Sequence, residues 1–164
     1  MDRRHFIIAL SAVVALFGMP PARAECDEPG AREHVETLYQ AQARRHAEGV
    51  RLDDEEHIEL FSRNIRKLIR APRVYPPEMP EGPILDAFFG WGVLPRTEVI
   101  VGKTRLVSGQ DEGPATVSVE LAYRGTAHKV LVHVVRQEER WRIANVIYDN
   151  GRSMLDHYRD TTGR

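Results

Sequence analysis

The stretch "VSVELAYRGTAHKVLVHVVRQEERWRIANVIY", residues 117–148, decides the fold. Val117, Val119, Leu121 and Tyr123 alternate with Ser118, Glu120 and Arg124, the period of a strand with one buried and one wet face. Gly125 falls in a short turn, and "HKVLVHVV" then runs apolar on both faces, as a central strand does. "QEER" makes the next turn, and "RWRIANVI" alternates again. Working outward, four strands are expected at about 97–108, 115–124, 127–136 and 140–148. In the last of them Trp141, Ile143, Asn145 and Ile147 fall on one side, so an amide stands where a core hydrophobe is expected.

Upstream, the period is helical. Val35, Leu38, Tyr39 and Ala43 mark one face of a helix from Ala31 to about Glu48, and Gly49 is placed to end it. A second helix is expected from Asp53, an N-cap candidate with Glu56 at capping-box spacing. Its apolar face is Ile58, Phe61, Ile65, Leu68 and Ile69, and Pro72 closes it. Five prolines within residues 72–83 make a connecting loop, followed by the short apolar segment "ILDAFFGWG". After the strands, "YDNGRS" turns the chain into a short final helix with Met154, Leu155 and Tyr158 facing in. The expectation is an α+β domain over residues 31–160: N-terminal helices packed on a curved antiparallel sheet of about four strands, with a short C-terminal helix.

The first residues have the three parts of an export signal: Arg3 and Arg4, the apolar run from Ile7 to Gly18, and the small-residue cleavage site Ala22-Arg23-Ala24. The apolar run is short of the roughly 20 residues that cross a bilayer, so residues 1–24 read as a signal cleaved after Ala24, and 25–30 as a disordered leader. "RRHFI" resembles the twin-arginine export motif, with Asp2 where Ser or Thr usually stands. The expected location is the bacterial periplasm or the exterior. Arg23 and Glu25 occupy the places where a lipobox needs aliphatic and small residues, so Cys26, the single cysteine, is not read as lipidated and has no internal disulfide partner.

Residues 1–24 hold three of the 23 basic and one of the 24 acidic residues, which leaves the remainder slightly acidic, with 20 against 23. With no basic cluster interleaved with aromatics, nucleic acid is not an expected partner. No second long apolar run follows the signal, so no membrane span is expected after its removal.

The same 117–148 stretch resembles the end of uncharacterised exported domains in the nuclear-transport-factor-two-like superfamily. The shared pattern is strand, turn, strand, charged turn, then W-x-I-x-D and an aliphatic residue; here it reads Trp141-Arg142-Ile143-Ala144-Asn145-Val146. The resemblance implies a bent sheet closed by helices into a cone with a pocket. It also implies face-to-face pairing of sheets into a homodimer. It assigns no reaction, because the fold hosts dehydratases, isomerases, transport adaptors and domains without known activity.

Candidate chemistry is sparse. Asn145, where relatives often have Asp, reads either as a residue bonding backbone at a strand end or helix terminus, or as a ligand-binding group in the cone; it cannot act as a general base. His133, between Leu131 and Val135, reads as a hydrogen-bonded core histidine or as a pocket acid or base. Asp86 reads as a cap or an exposed turn residue, or as a buried pocket acid. Phe88, Phe89 and Trp91 would plug the mouth of the cone or meet a hydrophobic ligand. His128 faces away from His133 along the strand, the other histidines are scattered, and no H-x-x-x-H or C-x-x-C spacing occurs, so neither a metal nor a cofactor is expected. The leading expectation is a non-catalytic exported domain binding a small apolar molecule or a protein, through His133, Asn145 and Asp86 if the site is the cone. The alternatives are a cofactor-free isomerase or hydro-lyase using His133 with Asp86, and an inhibitor or immunity protein.

Overall fold

The structure is a computed structural model, and it describes residues 30–49, 55–74, 85–91, 93, 94, 96–109 and 113–161. The signal with its cleavage site at Ala24, the leader with Cys26, the Asp53 cap and most of the proline loop lie outside these residues. The order is α1 (Ala31–Glu48), α2 (Glu55–Ile58), α3 (Arg63–Ile69), β1 (Leu85–Asp86), β2 (Gly90–Trp91), β3 (Ile100–Gly109), β4 (Ala115–Tyr123), β5 (Thr126–Gln137), β6 (Arg140–Ile147) and α4 (Met154–Thr161). This is the expected α+β arrangement of helices on a curved four-stranded sheet. No helix among the described residues is long and apolar enough to cross a membrane.

The sheet is a meander in the order β3-β4-β5-β6, antiparallel throughout. Two-residue turns join its last three strands: Arg124-Gly125, and Glu138-Glu139 with φ of 55° and 61°. Both turns are left-handed, the conformation that matches the twist of a hairpin. The register slips twice along β3, between Val101 and Thr104 and between Leu106 and Ser108, and once where Ala144 is extra in β6. Each slip is a bulge that bends its strand, and together they curl the sheet around its inner face. Val117 and Val119 of β4, Val132 and Val134 of β5, and Ile143 and Val146 of β6 form that face. Val35 and Tyr39 of α1, Phe61, Ile65 and Phe88 pack against it, and all eleven are nearly or wholly buried.

One expectation needs correcting. The helix read from Asp53 to Pro72 is two short helices separated at Phe61, where the backbone makes a parallel bridge to Ile143. The Ser62 N–H donates to the Ile143 carbonyl at 2.8 Å, and the Ile143 N–H donates to the Leu60 carbonyl at 2.9 Å. Ile58, Phe61 and Ile65 are buried as the helical spacing implied. What the spacing could not reveal is that β6 has a free edge whose backbone groups are better satisfied by Leu60 and Ser62 than by water.

Candidate functional site

The Ala144 bulge resolves the anomaly of the amide. It reverses the phase of β6, so that Val146 and Tyr148, and not Asn145 and Ile147, continue the buried row begun by Trp141 and Ile143. Asn145 pairs across the ladder with His133. Its Oδ1 accepts the N–H groups of Val146 and of Leu155, both at 3.0 Å. Leu155 lies in the first turn of α4, where N–H groups have no partner within the helix. Ser153 serves the same turn, its Oγ accepting the Asp156 N–H at 3.0 Å. Asn145 therefore caps α4 from outside the helix.

Asn145→Ala is accordingly expected to lower stability by about 1–2 kcal/mol, as the loss of a cap does. Asn145→Asp keeps both bonds and adds a favourable charge at a helix N-terminus, so it should match or exceed the wild type. Chemical denaturation of the two variants measures the difference.

Of the three residues singled out by sequence, His133 and Asn145 are cross-strand partners, while Asp86 lies apart from them. His133 lies with Leu131 and Val135 on the face of the sheet turned away from the core row Val130, Val132 and Val134. Its Nδ1 is 3.5 Å from Thr116 Oγ1, and its Nε2 is buried without a hydrogen-bond partner. Asp86 sits on the inner side, 9 % exposed, which corrects its reading as an exposed turn residue. Among the described residues, His133 and Asp86 therefore do not face one cavity.

Asp86 instead organises the hairpin of β1 and β2. Its Oδ1 accepts the Phe88 and Phe89 N–H groups at 2.8 and 3.0 Å, closing the turn upon itself. Its Oδ2 is 3.2 Å from Nδ1 of His46 on α1. His46 Nε2 donates to the Leu94 carbonyl at 2.9 Å. A carboxylate and a carbonyl only accept, so the geometry suits the imidazolium form of His46, with hydrogen on both ring nitrogens. The hydrogen bond to Asp86 raises its pKa above the ordinary 6.5, against burial, which acts to lower it. Two further hydroxyls hold the turn's carbonyls: Tyr39 donates to Phe88 O at 3.2 Å, and Tyr148 donates to Ala87 O at 3.0 Å. Burial, reinforced by the Asp86 charge, keeps the Tyr39 phenol well above 10. Gly90, at φ 102°, lets the hairpin pass the Tyr148 ring, which a Cβ would meet at 3.0 Å. The result places Phe88 and Phe89 in the core beside Tyr39, with ring centroids 5.8 and 6.1 Å from its own; the side chain of Trp91 lies outside the described set.

His46 was missed by spacing motifs because its partner is forty residues away. The available signal was its register on α1, where Val35, Tyr39, Gln42 and His46 form one buried stripe. A second pair was missed as well. His128 Nδ1 lies 2.5 Å from Asp149 Oδ2, and the Tyr123 ring stacks flat on the imidazole at 3.9 Å. This is how an acid–base histidine is oriented, but Asp149 is 47 % exposed, and water screens the pair.

An open groove of about 310 Å³ runs between α1 and β3, lined by Ala43, Ala47, Val99 and Val101 with Gln40, Arg44 and Glu98. None of His133, Asn145 and Asp86 lines it. Among the described residues no three His, Cys, Asp or Glu side chains gather as metal ligands would. No family model, no curated protein and no solved structure matches the chain.

Proposed function

We propose that this is an exported, non-catalytic binding domain of the nuclear-transport-factor-two-like type, whose working surface is the outer face of the sheet and whose ligand is a protein. The observation that carries the reading is a strip of half-buried aliphatic side chains, Leu131, Val135 and Ile147, on the face turned away from the helices, with the bond-free His133 Nε2 among them. A partner laid on this strip would remove apolar surface from water without disturbing the core. Strand addition is the other common way for a sheet to bind, and both edges resist it. Phe61 and Ser153 bridge to β6. Two bulges and the exposed Lys103 and Arg105 interrupt β3. A small apolar ligand in the cone has less support, because Phe88 and Phe89 occupy the interior. The acid–base alternative has less still, with His133 and Asp86 on opposite sides of the sheet. The signal-like residues 1–24, with their paired arginines, support delivery to the bacterial periplasm, by the twin-arginine route.

Native mass spectrometry of the protein purified from the periplasm tests the reading. The wild type is expected to carry a second polypeptide, either another protein or a second copy of itself. A Leu131→Glu/Val135→Glu variant should bind it about tenfold or more weakly, as charges placed at the centre of an interface do, with an unchanged melting temperature. A wild type that runs as a bare monomer, or a variant that keeps its partner, would rule out the outer face.

A further inference from the structure

Two aromatic side chains complete the core from a hairpin only seven residues long, Leu85–Trp91. Among the described residues that hairpin pairs only with itself in the β-ladders, separate from the four-stranded sheet. Its attachment to α1 runs through the contact of Asp86 with His46, through the edge-on packing of Phe89 against the His46 ring at 5.3 Å, and through the Tyr39 hydroxyl. Gly49 ends α1 three residues beyond His46, and the Arg96 N–H returns to the His46 carbonyl at 3.1 Å. The end of α1, the turn of the hairpin and the segment that follows it thus meet at His46.

We propose that the His46–Asp86 pair is a proton-operated latch: protonated His46 holds the Phe88-Phe89 hairpin in the core, and loss of its proton loosens the hairpin. The argument is one of donors and acceptors. The Leu94 carbonyl requires a hydrogen on Nε2, so a neutral His46 keeping that bond turns the Nδ1 lone pair toward the Asp86 carboxylate. An attraction between buried groups becomes a repulsion at 3.2 Å, in surroundings where water screens little. Asp86 Oδ1 is the acceptor for both hairpin amides, so displacement of that carboxylate releases the Phe88 and Phe89 N–H groups together.

The groups facing His46 leave the switch to it. Tyr39 on α1 and Tyr148 after β6 are both held well above 10 by burial, so they stay neutral throughout the range. Arg96 lies with its side chain against Gly49 and keeps its charge. Arg45, the neighbour of His46 on α1, is turned to His57, 2.9 Å from its Nε2. The sign follows from the raised folded-state value of His46. The pair's contribution is complete below about 6.5, the ordinary histidine value, and is lost as pH rises through the folded value.

The test is a pair of NMR titrations on the purified protein, wild type and Asp86→Asn. In the wild type the His46 imidazole should titrate above 6.5. The protection of the Phe88 and Phe89 amides against hydrogen exchange, corrected for intrinsic rate, should fall as His46 deprotonates. The loss should be about tenfold for each pH unit by which its titration is raised. In Asp86→Asn the side-chain oxygen still accepts both amides, while its NH₂ group can donate to a neutral Nδ1. His46 should therefore titrate at or below 6.5, and protection should be flat. The wild-type titration stands by itself should the variant not fold. A wild-type His46 that titrates at or below 6.5, a hairpin protected equally at pH 6 and 9, or a loss that Asp86→Asn shares in full would overturn the latch.

Discussion

Phe88→Ala is expected to destabilise the protein by about 3–5 kcal/mol, the range for truncating a buried phenylalanine. That is a large fraction of the roughly 5–15 kcal/mol that holds an ordinary domain, and chemical denaturation at pH 6 measures it. The side chain is wholly buried, with Tyr39 edge-on at 5.8 Å and Phe61 tilted against it at 5.6 Å. The loss should sit at the upper end of the range because the surroundings cannot collapse into the space. Tyr39 is held by the bond from its hydroxyl to the Phe88 carbonyl, and Phe61 by the bridge of its backbone to Ile143. A rigid wall leaves a larger void, and the cost grows with the void. Phe88→Leu, which refills most of the volume, should recover more than half of the loss.

Asp86→Ala should cost a similar amount, about 3–5 kcal/mol, as the removal of one member of a buried ion pair does. The variant leaves His46 beside an apolar methyl group and strips the Phe88 and Phe89 N–H groups of their acceptor. It differs from Phe88→Ala in its dependence on pH. With no carboxylate to favour the cation, His46 in the variant is better neutral, and the wild type itself loses the contribution of the pair as pH rises. The gap between wild type and Asp86→Ala should therefore narrow from pH 6 to pH 9, while the gap for Phe88→Ala stays constant. Denaturation midpoints at the two pH values distinguish them. An Asp86→Ala deficit that did not change with pH would mean that the cost lies in the turn amides alone.

The regular elements were legible because local pattern and global fold agree in them. The first helix runs from Ala31 to Glu48 as its apolar stripe implies, and Gly49 ends it in the left-handed conformation at φ 76°. Strands β4 to β6 begin and end within one residue of where alternation places them, since one face of each is core. Three features were not legible, each for a tertiary reason. Phe61 fits a helical stripe equally well whether the chain is helical there or extended for one residue, and only the open edge of β6 selects the second. Asn145 falls in line with Trp141 and Ile143 until an extra residue, Ala144, shifts the phase; alternation does not mark a bulge. The partner of Asp86 comes from a helix forty residues upstream, and no short motif spans that distance. Helices on a curved four-stranded antiparallel sheet were expected from the pattern and are present. Phe88 and Phe89 of the hairpin lie in the described core.

The stitching of β6 from both sides has a consequence for the order of events in synthesis. The break between α2 and α3 falls where Ile143 offers its N–H and carbonyl, and the other end of the strand is closed by Ser153. Residues 60–62 therefore have no reason to leave the helical state until residue 143 has been made and has taken its place beside β5. A chain made only as far as Gln137 would show helical propensity through this region, and β5 would stand as a bare edge. The native arrangement around residues 60–62 is settled only once residue 143 has been made, by contacts that close a loop of about eighty residues, and long-range closure of that kind slows folding.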